Sequence, residues 1–177
     1  MDSPPATTSF INPFIMKNLI LIAACMISIA LQAQLKTTAI CPPFSVDVLG
    51  GRVNELPINS TVGQIKLKLP CFTSAEDESA TAKCGGGVFF KDKDVYFYTN
   101  RDYIEIGPNF KGKLSIPLMG AGRTALFKWL GNPKIKDVNW DAYETAYGLM
   151  IVYFTKASKI NKIQMTNQSA ETLKLCE

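Results

Sequence analysis

The residues in this chain that could do chemistry are defined first by one that is missing. The 177 residues contain no histidine. That removes Ser-His-Asp and Cys-His catalysis, histidine-ligated zinc and a histidine pH switch together. A cysteine nucleophile would have no imidazole to activate it. There is no Ser-x-x-Lys, the histidine-free serine pattern. Gly85-Gly86-Gly87 lacks the Lys-Ser or Lys-Thr pair of a phosphate-binding loop. Asp137, Asn139 and Asp141 have the spacing of the first three calcium-loop ligands. However, Ala142 stands where that loop needs glycine, and Gly148 where it needs a bidentate glutamate. Glu76-Asp77-Glu78 reads as a solvated loop and Asp92-Lys93-Asp94 as a hairpin turn. No pair of acids is marked for glycoside hydrolysis. The sequence therefore assigns no catalytic residue, no metal ligand and no cofactor. Nineteen basic against fifteen acidic residues give a net charge of +4 without clustering, which is not a nucleic-acid-binding signature.

Cysteines are the second chemical resource, and their meaning depends on the compartment. Lys17 is the only Lys or Arg before Lys36, and an uncharged apolar run follows from Asn18 to Leu31. This run is shorter than the ~20 residues of a spanning helix and fits the core of a secretory signal. Residues 16–33 read as that signal, starting at Met16-Lys17, with cleavage after Ala33 or, alternatively, after Ala30. Residues 1–15 read as a dispensable extension and 34–177 as one domain. A rival reading takes Ile22-Ala23-Ala24-Cys25 as a lipobox with Cys25 acylated, and only then does the chain touch a membrane.

Loss of residues 1–33 leaves Cys41, Cys71, Cys84 and Cys176. An even count in an exported chain predicts disulfides, and three pairings are possible. Cys71 and Cys84 bracket one polar loop, so the expectation is a Cys71–Cys84 bond with Cys41–Cys176 by default. Zinc is disfavoured because there is no Cys-x-x-Cys pair.

The elements that must position these groups follow from periodicity. Phe44, Val46 and Val48 alternate as a lead-in strand ending at Gly50-Gly51. Ser60 or Thr61 caps a helix through Leu69, stopped by Pro70. Strands are expected over 88–90, 95–99 and 103–106, then over 114–118. A second helix covers Ala121 to Leu130 and ends at Gly131-Asn132-Pro133. A polar and aromatic loop is expected from Lys134 to Tyr147, followed by a hairpin of 149–154 and 159–165. The fold class is α+β: a mainly antiparallel sheet with two short helices on one face, and pseudo-repeats over about 52–107 and 110–166. Alternation puts Val95, Phe97, Met150, Val152 and Phe154 under the helices. It puts Tyr96, Tyr98, Ile151 and Tyr153 on the open face.

Cys84-Gly85-Gly86-Gly87-Val88, Phe110-Lys111-Gly112, Leu130-Gly131-Asn132-Pro133 and Tyr147-Gly148 give the chain its resemblance to exported bacterial domains of unknown function. Their order is also similar to the tandem repeat of β-lactamase inhibitory protein and of SmpA-type outer-membrane assembly lipoproteins. Leu69-Pro70-Cys71 departs from the Leu-Gly-x-Pro of that pattern. The resemblance implies protein binding through an open sheet face, without chemistry. The candidate anchors are Tyr96, Tyr98, Trp140, Tyr143, Tyr147 and Tyr153, with Arg101 beside the first two, because Tyr, Trp and Arg dominate interface hot spots. The expected function is that of a periplasmic or secreted protein-binding module of inhibitor or immunity type, whose partner is another envelope or extracellular protein. A cell-envelope structural or assembly factor is the alternative. A carboxylate-based enzyme is the third.

Overall fold

The apolar residues of two sheets converge on one core, and the chain begins with three of the four strands of the smaller sheet. The computed structural model describes residues 39–77 and 84–175. The expected leader, the 1–15 extension and Cys176 lie outside the described residues. Strand β1 (Ser45–Asp47) buries Val46 and leaves Ser45 and Asp47 exposed, as alternation requires. After a turn through Gly51 come β2 (Arg52–Val53) and β3 (Leu56–Pro57). With β8 (Lys113–Leu114), parallel to β1, they form a sheet of order β3-β2-β1-β8.

Helix α1 (Val62–Lys68) starts at a capping box: Gln64 N donates to Thr61 Oγ1 at 3.3 Å, and Thr61 N donates to Gln64 Oε1 at 2.9 Å. Lys66 and Lys68 in the last turn suit the negative end of the helix dipole. The segment alternates as a strand would, and Leu67 shows why helix wins. Ile65 and Leu69 are completely buried four residues apart, whereas Leu67 between them is 87% exposed.

The main sheet contains β4 (Ser74–Glu76), β5 (Gly87–Phe90), β6 (Val95–Tyr98), β7 (Tyr103–Ile106), β9 (Ile135–Lys136), β10 (Trp140–Thr145), β11 (Gly148–Phe154) and β12 (Ile160–Thr166). Its order is β4-β5-β6-β7-β12-β11-β10-β9, antiparallel at every pairing. The α+β class with a mainly antiparallel sheet is as expected. Gly87 is needed for β5 to pair closely: a Cβ there would fall 1.8 Å from the Phe97 carbonyl oxygen.

Two expectations are corrected. The segment from Lys134 to Tyr147 is not a loop, because β9 and β10 occupy it. Its hydrophobic residues are spaced by polar ones, which hides a half-buried edge strand. The second helix is also shorter than expected. A 3-10 turn (Arg123–Leu126) leads into a single α-turn, α2 (Phe127–Leu130), which Gly131 closes at φ +68°.

One core fills the space between the inner face of the main sheet, the small sheet and the helices. Val88, Phe90, Val95, Phe97, Ile104, Ile106, Met150, Val152, Ile163 and Met165 meet Val46, Val48, Val53, Ile65, Leu69 and Leu126 there. Phe44 and Phe90 cross edge to face at 5.1 Å between centroids, joining the two sheets. Each large side chain so buried is worth about 1.5–3 kcal/mol.

Arg123 then pins the far edge. Its Nε and Nη2 grip both Asp141 oxygens at 2.8 and 2.7 Å, and its plane stacks 4.4 Å from the Phe154 centroid. The same guanidinium donates to the carbonyls of Asp137, Val138 and Trp140, so it holds β10 and the turn before it. Asp141 is thus an arginine partner, not a calcium ligand.

The disulfide is the third correction. Cys41 bonds Cys71, with Cα atoms 5.4 Å apart, and Cys84 is a free, half-buried thiol. The expected Cys71–Cys84 and Cys41–Cys176 bonds are both excluded, since each would need a sulfur already used. The lead-in to β1 runs beside the end of α1, and that spatial meeting left no mark in the cysteine spacing.

The bond closes a separation of 30 residues, so Cys71→Ser is expected to cost about 3–4 kcal/mol on the chain-entropy account. Non-reducing peptide mapping should recover Cys41 linked to Cys71, and recovery of Cys71 linked to Cys84 instead would refute the assignment. Arg123→Met strands a buried carboxylate and should cost about 3–5 kcal/mol in urea unfolding, with Arg123→Lys losing less. A loss under ~1 kcal/mol would rank the pair with exposed ion pairs.

Candidate functional site

Alternation that sends Val95, Phe97, Ile104 and Ile106 inward sends Tyr96, Tyr98, Tyr103 and Glu105 to the opposite side of the main sheet. Register then extends this outer face across the sheet. Tyr96 lies opposite Glu105, Glu105 opposite Gln164, and Gln164 opposite Ile151. Two halves result, one aromatic and one apolar, with a polar chain between them.

The aromatic half lies on β5, β6 and β7. Phe89, Tyr96, Tyr98 and Tyr103 contact one another at centroid separations of 5.0–6.5 Å, with Tyr96–Tyr98 and Tyr98–Tyr103 stacked. Tyr96 is fixed by its hydroxyl, which donates to Asp94 Oδ1 at 3.0 Å. Asp94 is itself held: its other oxygen accepts from Asn109 N at 2.6 Å, and its carbonyl accepts from Gly107 N at 2.8 Å. This knot locks the turn before β6 against the end of β7. Burial pushes the Tyr96 hydroxyl up to about 12, and the hydrogen bond to Asp94 adds to the shift.

The polar chain follows. Tyr103 donates to Glu105 Oε2 at 3.0 Å, Gln164 Nε2 donates to the same oxygen at 2.8 Å, and Tyr153 donates to Gln164 Oε1 at 2.7 Å. Lys162 lies 3.7 Å from Glu105 and 3.9 Å above the Tyr153 ring. Such a chain fixes rotamers on a face that has no core to do so.

The apolar half comprises Ala142, Leu149, Ile151 and Tyr153 on β10 and β11, all buried although they face away from the core. Leu173 and Leu175 of the C-terminal tail pack on them, together with Trp140 and Ile135. Between the tail and the aromatic half lies a pocket of about 580 Å³. Arg101, Tyr103, Gln164, Ile151 and Glu171 are among the residues that line it.

Five of the seven expected anchors share this face: Tyr96, Tyr98 and Arg101 on one half, Trp140 and Tyr153 on the other. Tyr96, Tyr98 and Trp140 are half-buried, Arg101 is exposed, and Tyr153 is buried beneath Lys162. The other two do not join them. Tyr143 alternates with Trp140 and Ala142, so it enters the core, where it is 3% exposed. Tyr147 turns the same way and serves the fold. Its hydroxyl donates to Val48 O at 2.8 Å, and its ring lies where a Cβ on Gly51 would be, 2.6 Å from the nearest ring carbon. Gly51 also has φ +62°, so no other residue suits both the backbone and the ring. The expectation that all the aromatics present one surface fails at these two, because both were assigned to a loop. Tyr103, Phe89, Gln164 and Glu105 were missed, although the strand pattern that placed Tyr96 also places them.

Among the described residues, no group of three or more His, Cys, Asp or Glu side chains is arranged to hold a metal ion. No helix among them is long and apolar enough to cross a membrane.

Burial raises the Tyr143 hydroxyl to about 12 and drives that of Tyr147 higher still. Raised folded values mean these tyrosines support the fold fully below the ordinary tyrosine pKa of about 10 and withdraw that support as pH climbs through the folded values. Absorbance titration should therefore show Tyr96, Tyr143 and Tyr147 ionising above the ordinary tyrosine range, with stability falling above pH ~10. Tyr96→Phe should remove one late-titrating group, and an unchanged late phase would refute its placement. Comparison with protein-family models, with curated protein sequences and with solved structures returned no match to this chain.

Proposed function

We propose that the mature chain is an exported, non-enzymatic protein-binding module of inhibitor or immunity type. It holds another envelope or extracellular protein against the outer face of its main sheet. The observation that carries this reading is the ladder of Tyr96, Tyr98 and Tyr103 beside the pocket that Arg101 borders. Tyr96 and Tyr98 offer large, stiff contact area backed by buried Tyr103, and their rotamers are set before a partner arrives, so little entropy remains to be lost on binding. Tyr96 and Tyr98 are the anchors and Arg101 the charged contact. Trp140 extends the surface, and Tyr153 supports it from below. Tyr143 and Tyr147 belong to the core in this reading.

Export through the leader at 16–33 is part of the proposal. The Cys41–Cys71 bond supports it, because such bonds persist in oxidising compartments. The two pseudo-repeats are part of it too. Strand order mirrored about β7 and β12, with a short helix ahead of each four-strand half, supports an internal duplication.

The test is capture from envelope extract by the mature protein and by its Tyr96→Ala/Tyr98→Ala variant, compared at equal folded concentration. Loss of a partner that the unaltered protein retains is expected, on the scale of at least ~2 kcal/mol for a two-residue hot spot. Equal retention by both proteins would eliminate this face.

A further inference from the structure

We propose that the C-terminal tail, residues 167–175, is a displaceable strap: it occupies the β10–β12 half of the outer face as the chain's own stand-in for a partner segment that presents two apolar side chains two residues apart. The proposal rests on the reading of the outer face as the binding surface and adds how that surface is regulated.

Ala142, Leu149 and Ile151 are each at most 1% exposed, yet they lie on the side of the sheet turned away from the core. Leu173 and Leu175 of Leu173-Lys174-Leu175 cover them. An i, i+2 pair meets one surface only from an extended chain, so residues 173–175 lie on the sheet as a bound peptide would. Its hold is side-chain deep. Among the described residues, its polar bonds are mostly local: Thr172 N to Ser169 O, Ser169 N to Thr172 Oγ1, and Lys174 N to Gln168 Oε1. Gln168 N leans on Thr166 Oγ1 where the tail leaves β12, and Asn167 Nδ2 reaches Asp102 across the neighbouring turn. Neither leucine is fully buried. Ordering nine residues against two partly buried leucines leaves the closed state favoured by only ~10-fold. Beside the strap, a pocket whose lining includes Ile151, Gln164 and Thr166 opens at the edge of the same floor, although those side chains are themselves buried. An incoming segment can therefore touch the face before the tail leaves, and an apolar pair then competes for the leucine sites.

The test uses the full-length mature protein and a synthetic peptide of residues 167–177 with Cys176→Ser. Calorimetry should show the peptide binding the Leu173→Ser/Leu175→Ser variant at least ~10-fold more tightly than the unaltered protein, whose own tail competes. In the unaltered protein, amides of 170–175 should exchange at least ~100-fold faster than those of β11 and β12. Tail amides as slow as those of β12, or equal peptide affinity for both proteins, overturns the strap. The exchange measurement decides alone if the double variant does not fold. The two readings also fail separately. Retained partner capture by the Tyr96→Ala/Tyr98→Ala variant removes the binding face and leaves a strap that passes the peptide test. A failed peptide test removes the strap and leaves the tyrosine face.

Discussion

A sheet of eight strands has two broad faces, and a chain of this size builds one full core. That constraint governs everything else in the molecule. The inner face receives the small sheet, α1 and the 3-10 turn with α2, and its residues are aliphatic, methionine or phenylalanine, with Tyr143 among them. Among the described residues, the outer face receives no covering layer of secondary structure. It must therefore satisfy itself, and it does so in two ways. On β5–β7 it carries side chains that tolerate both water and apolar contact, chiefly tyrosine. On β10 and β11 it is apolar and borrows cover from the tail. The Tyr103–Glu105–Gln164–Tyr153 chain marks the border between these solutions.

The same division explains what a sequence reader can find here. The strands of 95–98, 103–106 and 149–154 are legible because four or more residues alternate or run apolar between clear turns. The facing of Tyr96 and Tyr98 followed from that parity alone. Segments of two or three residues carry no period, so the parallel pairing of β1 with β8, and with it the four-stranded sheet, was hidden. The stretch 134–147 looked like loop because Asp141 sits inside it, and a buried acid is read as a solvent signal until its arginine is seen eighteen residues away. Cysteine pairing failed for a related reason. Sequence proximity favoured Cys71 with Cys84, whereas the bond is decided by which chain segments cross in space.

Misplacing one strand also misassigned the site. With β10 read as loop, Tyr143 and Tyr147 counted as surface, and parity was never applied to them. Placed in register, Trp140 and Ala142 face out, while Asp141 and Tyr143 face in. What remained invisible in any single-segment reading was the contribution of the last residues. Leu173 and Leu175 form a single apolar pair at strand spacing, too short to read as an element, and only the apolar patch beneath them gives them meaning.

The mirrored strand order has a kinetic side. Within each half, neighbours in the sheet are joined by hairpins, which close quickly. The two halves meet at β7 and β12, where Ile106 pairs with Ile163 and Glu105 with Gln164. That junction lies in the middle of the sheet yet joins parts of the chain far apart in sequence, so it carries the largest loop-closure penalty of any pairing on this side of the molecule. Within the main sheet, topology thus assigns the slow step of assembly to a central seam. Two copies that zip each other's seam instead of their own would exchange whole halves.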